Sequence, residues 1–237
     1  MSPTRPLPNT PRGSKRTHCR DTGSIQMFDI VFELTTPLTD CGPGREFIHA
    51  ITGEIRHDDL GVTVGRVNAF LIRVGRVADA GEDLGEIMDG ESSELGEYHS
   101  AFFKPYECEY KDSIRRQFVD ICPMDLLILD RAEIQPAFQK RGIGLLAVSK
   151  TIDAFGESCG LVVMKPFPLQ FRNYRDPAWS PPEGVVDPGA AFRAARQKLR
   201  KYWGRAGFKR VNGTDYWALC PAQKRPSLKR IEEGLDL

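Results

Sequence analysis

Gly142-Ile143-Gly144-Leu145-Leu146-Ala147 reads GxGxxA, and Gln139, Lys140 and Arg141 stand directly before it. Two closely spaced glycines let an anion approach consecutive backbone N–H groups, and a helix N-terminus behind them adds the positive end of its dipole. With two bases alongside, the chemistry indicated is phosphate or pyrophosphate binding. A dinucleotide-binding turn is the first reading such a pattern invites. In that turn the glycines begin where the strand ends, and an acid about twenty positions later holds the ribose. Here six residues, Pro136 to Arg141, intervene after the strand, and position 162 is a valine in an apolar run with no acid through Lys165. The dinucleotide reading is therefore set aside. On this segment alone, a glycine-rich helix start with no ligand stands as the plain alternative.

Other reactive side chains are scattered. Glu133 precedes the turn and is a candidate general base; the alternative is a solvent-facing or salt-bridged strand carboxylate. Arg193, Arg196, Lys198, Arg200, Lys201 and Arg205 crowd one helix without an acid, as a solvated face or as a contact for phosphates or an acidic partner. Glu82, Asp83, Glu86, Asp89, Glu91, Glu94 and Glu97 form the opposite run, a solvated acidic face or an attraction for a cationic substrate. His18, His49, His57 and His99 form no metal-ligand spacing, so no metal is expected. His57-Asp58-Asp59 reads as a polar loop. The six cysteines contain no CxxC pair and read as reduced thiols.

Several elements are expected to position these groups. MFDIVFEL, from Met27, alternates Phe28, Ile30, Phe32 and Leu34 at the period of a strand. REFIHAITGEI and VNAFLIRVGRV read as two more strands, the second central because it is nearly continuous in apolar and β-branched residues. Leu95, Tyr98, His99, Phe102 and Phe103 follow the stripe of an amphipathic helix, capped by Ser92 or Ser93. Residues 104–123 carry no readable pattern. MDLLILDRAEIQP (strand), GIGLLAVSKTIDAFG (helix) and GLVVMKP (strand) form a β-loop-α-β unit, whose crossover makes the two strands parallel neighbours. A proline-rich loop, 166–187, follows and is a lid candidate. Pro188 then begins a helix with an apolar face of Phe192, Ala195, Leu199, Tyr202 and Trp203, and Asn212-Gly213 turns a final hairpin.

The predicted fold is α/β: one domain over 27–220, with a mixed, mostly antiparallel twisted sheet, a central parallel pair and helices on both faces. Residues 1–26, basic and rich in proline, are expected to be a disordered tail, with Met27 as an alternative start, and 221–237 a peripheral C-terminal tail. Lys plus Arg total 33 against 32 Asp plus Glu, a net charge of +1. Such a balance gives no reason to expect nucleic acid or a membrane as main partner. Without an export signal or a membrane-length apolar run, the expected location is cytoplasmic.

The order LLILDRAEIQP, then Gln139-x-x-Gly142-x-Gly144, then a helix and an apolar strand resembles the acyl-CoA-binding core of the GNAT superfamily of N-acyltransferases. LRKYWGRAGF resembles a later helix of that family, ending in an aromatic residue followed by Gly207-Phe208. The resemblance spans about 124–219. It implies an N-acetyltransferase moving acetyl from acetyl-CoA to a primary amine on a small molecule or a protein. The main chain at Ile134 would meet the pantetheine arm and stabilise the oxyanion. The amides of Gln139, Lys140, Arg141, Gly142, Ile143 and Gly144 would cradle the pyrophosphate. Many members place a tyrosine four residues before the Gly-Phe pair to protonate the leaving thiolate, but Trp203 stands there in this chain, an apolar wall for the cofactor cleft. Tyr202 substitutes as the acid only if the helix is rotated or its closing turn distorted. The loop 166–187 is longer than usual in the family and would shape the acceptor pocket or pack against a second subunit in a homodimer. A non-catalytic acyl-CoA-binding module is the alternative that Trp203 suggests; RNA binding through the basic tail and helix is a third.

Overall fold

The computed structural model describes residues 28–37, 44–119, 121–122, 124–171 and 186–227. The N-terminal tail, most of the loop 166–187 and the last ten residues lie outside them. Among the described residues every strand belongs to one seven-stranded sheet in the order β1-β2-β3-β4-β5-β7-β6. Its members are β1 (Phe28–Thr35), β2 (Ile48–His57), β3 (Val62–Ile72), β4 (Asp125–Ile134), β5 (Cys159–Met164), β6 (Lys209–Arg210) and β7 (Trp217–Leu219). All neighbours are antiparallel except β4 and β5, which are parallel. Six α-helices occur among the described residues: α1 (Val74–Ala80), α2 (Leu84–Glu91), α3 (Ser93–Phe102), α4 (Asp112–Gln117), α5 (Ile143–Phe155) and α6 (Pro188–Gly204).

Alternation along the strands divides the core in two. Ile72, Leu126, Ile128, Leu161 and Val163 pack with Val77, Met88, Tyr98, Phe102 and Ile114 of α1 to α4. Leu71, Leu127, Leu129, Val162 and Met164 point the other way, against Leu145, Val148 and Ile152 of α5 and Trp203 of α6. Helices therefore cover both faces, as the pattern predicts. β5 is buried along its whole length, in keeping with a parallel strand covered on both sides.

The third strand ends earlier than its apolar run suggests. After Ile72 the chain turns at Arg73, and Val74–Ala80 is α1, closed by Gly81 in the left-handed conformation (φ 71°). A β-branched VGRV segment does not prevent a helix once Val74 and Val77, three apart, can both be buried. α3 follows its predicted stripe with Ser92 as N-cap, but Phe103 lies past the helix end, bridged to Tyr110. His57 is not in a polar loop: it closes β2, buried, with its ring edge-on to Phe28 at 4.9 Å between centroids. The hairpin at Asn212-Gly213 is present, with Gly213 at φ 73°.

Candidate functional site

The register of β3 against β4 passes from Ala69↔Leu129 to Asn68↔Arg131, leaving Asp130 as an extra residue on β4. Such a bulge bends a strand and restarts its alternation. Leu127 and Leu129 face α5 before the bulge, and Ala132 and Ile134 do so after it. The pairing of β4 with β5 ends at Ile128↔Val163. From Leu129 onward β4 continues beside β3 alone, so its other backbone edge lacks a strand partner among the described residues.

The turn that enters α5 lies against the end of that free edge. Gln139 Nε2 donates to the Ile134 carbonyl at 2.8 Å, tying the turn to the last residue of β4. Lys140 and Gly142 both adopt positive φ, 64° and 76°. Gly142 occupies the N-cap position and no side chain of its own can cap the helix. A helix leaves its first amides without intrahelical partners, and here those of Ile143 and Gly144 stand behind the two glycines. Nine of the thirteen residues of α5 are buried, while Gln139, Lys140 and Arg141 are exposed at its mouth. The Arg141 guanidinium lies 5.5 Å from the centre of the Phe138 ring. One turn thus presents amides from within and two cations from without, a geometry suited to an anionic group.

Tyr202 reaches the same turn from α6. Its hydroxyl accepts from the Leu145 amide at 2.9 Å, and a Cβ added to Gly144 would sit 2.9 Å from that oxygen. Burial pushes the Tyr202 phenol up to about 12, so it keeps its proton at neutral pH. α6 achieves this while helical through Gly204, so no distortion of its closing turn is required. Trp203 takes the other direction: it is 7 % exposed, within the core between α6 and the sheet. Its ring stands T-shaped to that of Tyr202 with centroids 4.8 Å apart. Neighbours on a helix differ by about 100° in direction, and here the tyrosine meets the turn while the tryptophan packs inward.

Glu133 belongs to neither group. Its side chain is 52 % exposed and 3.6 Å from Arg131 Nη1, and the alternation after the bulge turns both away from α5. The basic face of α6 is partly spoken for as well, since Arg196 and Arg200 both hold Asp215, at 2.7 and 2.8 Å.

No family model matches the chain, and neither a curated protein nor a solved structure matches it. Its chemistry rests on its own residues. Among the described residues no group of three or more His, Cys, Asp or Glu side chains could hold a metal ion, and no helix is long and apolar enough to cross a membrane.

The opposite face of the sheet carries a cluster that sequence reasoning did not assemble. Lys165, just past β5, donates to Glu97 of α3 at 2.6 Å and stands 5.4 Å from the centre of the Tyr216 ring. The Tyr216 hydroxyl also donates to Glu97, at 3.4 Å. The hydrogen bond from Lys165 holds the Glu97 carboxyl below its ordinary pKa. The separations along the chain, 68 residues from Glu97 to Lys165 and 119 from Glu97 to Tyr216, hid this group from pattern reading.

Proposed function

We propose that the chain is an acetyl-CoA-dependent N-acetyltransferase of the GNAT type, acting on a primary amine. The observation that carries this reading is a juxtaposition. The free edge of β4 ends at Ile134, and the glycine-capped turn into α5 packs on that same residue, with Gly144 against it. A long donor with an anionic middle and an amide-bearing arm fits both at once.

Acetyl-CoA would supply the acetyl group as an activated thioester. In this reading the amides around Gly142, Ile143 and Gly144 hold its pyrophosphate, with Lys140 and Arg141 adding charge from the rim. Backbone N–H groups of β4 beyond Leu129 orient the arm and stabilise negative charge on the carbonyl oxygen. The amine nitrogen bonds to the carbonyl carbon, the carbon–sulfur bond breaks, and its electron pair leaves with sulfur. The proton lost by nitrogen balances the one gained by the thiol.

Tyr202 has a narrower part than full acid. A phenol near 12 is a weaker acid than a free thiol at about 8.5, so complete transfer to a thiolate runs uphill. Having accepted from Leu145, the hydroxyl still has its own hydrogen to donate, and it serves as a fixed hydrogen-bond donor to charge developing nearby. Trp203 and Glu133 receive no chemical role.

The test is thiol release from acetyl-CoA in the presence of an amine library. Tyr202→Phe should lower kcat by about 10²-fold, the usual cost of losing one preorganised donor, with acetyl-CoA affinity unchanged. A Tyr202→Phe enzyme at full rate contradicts the donor role. The second reading, a non-catalytic acyl-CoA-binding module, is favoured by the burial of Trp203 at the position where the family places its acid. It predicts acetyl-CoA binding with no thiol release from any amine.

A further inference from the structure

The residues from Pro188 to Trp217 carry eight bases and one acid, a local charge of +7 in a chain whose total is +1. They build α6 and the β6–β7 hairpin beside it. On α6, Arg193, Arg196 and Arg200 stand at i, i+3 and i+7, so they share one side of the helix. That side meets the hairpin, because Arg196 Nη2 and Arg200 Nη2 take one oxygen each of Asp215, at 2.7 and 2.8 Å. Arg210 approaches from the hairpin, its Nε donating to the Thr214 carbonyl at 2.9 Å. Burial and the neighbouring charges of Arg196 and Arg210 hold the Arg200 guanidinium below its ordinary pKa.

Four guanidiniums thus line this seam with a single carboxylate among them, a surplus of three positive charges. Like charges three and four apart on a helix destabilise it, and Asp215 relieves only part of that. Arg196 and Arg200 are 21 % and 25 % exposed, and Arg193 and Arg210 lie at the surface, so a ligand can reach the row.

Among the described residues no large apolar side chain is exposed between Pro188 and Leu219. A protein interface draws most of its energy from large side chains buried in pockets, whereas a nucleic-acid backbone is met by charge and hydrogen-bond donors. Near the start of the row, Phe167 packs on Phe192 with 5.5 Å between centroids and remains 38 % exposed. Arg196 lies 6.0 Å from the centre of the same Phe192 ring. Single-stranded nucleic acid is held by this combination, with bases stacked on rings while cations follow the phosphates. A duplex keeps its bases stacked inside and leaves the ring unused. We propose that the seam between α6 and the β6–β7 hairpin binds single-stranded nucleic acid, its phosphates on Arg193, Arg196, Arg200 and Arg210 and a base on Phe167. Binding here is independent of the acyl-transfer reading, and its assay contains no acetyl-CoA.

The experiment is fluorescence anisotropy of the full chain with a labelled mixed-sequence RNA of about 12 nucleotides, within the usual footprint range, over a salt series. The matching duplex and a polyglutamate peptide serve as competitors. Affinity should fall with salt at a log–log slope of about −2 to −3, as for three or four neutralised phosphates. Arg193→Gln/Arg210→Gln should lose tenfold or more in affinity and make the slope shallower by about 1.4. Arg56→Gln/Arg66→Gln removes the same charge from exposed positions of β2 and β3, toward the other edge of the sheet, and should change affinity less than twofold. Phe167→Ala should weaken the single strand about fivefold or more and leave the duplex unaffected. Should the double variant melt early, Arg193→Gln alone, at a surface position, is expected to cost about threefold. No binding at low salt, equal losses in the two double variants, an unchanged Phe167→Ala, or preference for the duplex or the peptide overturns the assignment.

Discussion

α5 and α2 face opposite sides of the same sheet and begin in opposite ways. α2 starts at Asp83, whose carboxylate accepts from two of the first amides, at 2.7 and 3.1 Å. α3 follows with Ser92 accepting from Leu95 at 3.2 Å. α5 has a glycine in the same position and no such cap. A helix must satisfy its first amides with side chains, water or a ligand. On the α2 side Asp83 fills two of them; on the α5 side the Leu145 amide is met by Tyr202 and by the Gly142 carbonyl, while those of Ile143 and Gly144 have no partner among the described residues and stand beside Lys140 and Arg141. One helix start leaves amides beside two cations and the other is closed by a carboxylate, and between the two layers the pairing of β4 with β5 stops at Ile128↔Val163.

The largest expected effect comes from closing the open start. Gly142→Val places a β-branched residue at φ 76°, which costs about 1–2 kcal/mol in the left-handed region, and it puts a side chain where a phosphate must approach. Acetyl-CoA affinity should fall by about 100-fold or more, measured by titration against wild type at matched folded fraction. A variant that folds and binds normally removes the contrast between the two helices.

The reciprocal change is Asp83→Ala, which uncovers the amides of Gly85 and Glu86. It should lower stability by about 0.5–2 kcal/mol in denaturant unfolding while leaving acetyl-CoA affinity alone. A loss of acetyl-CoA binding here would show that the two faces are not separate.

A smaller effect concerns how α6, and with it Tyr202, is held. Arg196 and Arg200 lower the Asp215 carboxyl below its usual value. A carboxylate with a depressed folded pKa contributes stability that is complete above its unfolded value, about 3.9, and is lost as pH falls through the folded value. Asp215 is 47 % exposed, so solvent screening keeps the contribution to about 1 kcal/mol or less. Asp215→Asn should flatten the acid limb of the stability profile below about pH 4 and leave the neutral plateau only slightly lower. An unchanged acid limb contradicts the pairing.

Much of the sheet was legible because its strands are short periodic statements. Phe28, Ile30 and Phe32 announce β1, LLILD announces β4, and the glycine turn with its apolar helix and buried strand fixes the parallel pair. The predicted strand runs on to Val77, whereas Val74–Ala80 is helix: the β-branched residues read as strand, but Gly81 is able to close a helix there. α2 was missed although Asp83 and Glu86 stand at the spacing of a capping box. α4, six residues long, is too short for any periodicity to register. At the site, the turn could be read, since glycine and charge are local signals. The Tyr202 contact with Leu145 spans 57 residues and could not. Aligning Trp203 with the family's tyrosine predicts it in the cleft wall, whereas the direction of α6 packs it into the core and brings Tyr202 to the turn that enters α5. The acid run at 82–97 was visible as composition, but only the packing of α2 against α3 makes it one wall of an open groove.

The most direct test is the melting temperature of the intact chain with and without acetyl-CoA. A ligand at about 100 times its dissociation constant adds about 2.7 kcal/mol to the native state, which for a chain of this size raises Tm by about 5–10 °C. The account predicts that rise for the wild type and its loss in Gly142→Val. A folded wild-type protein whose Tm does not move in millimolar acetyl-CoA contradicts it.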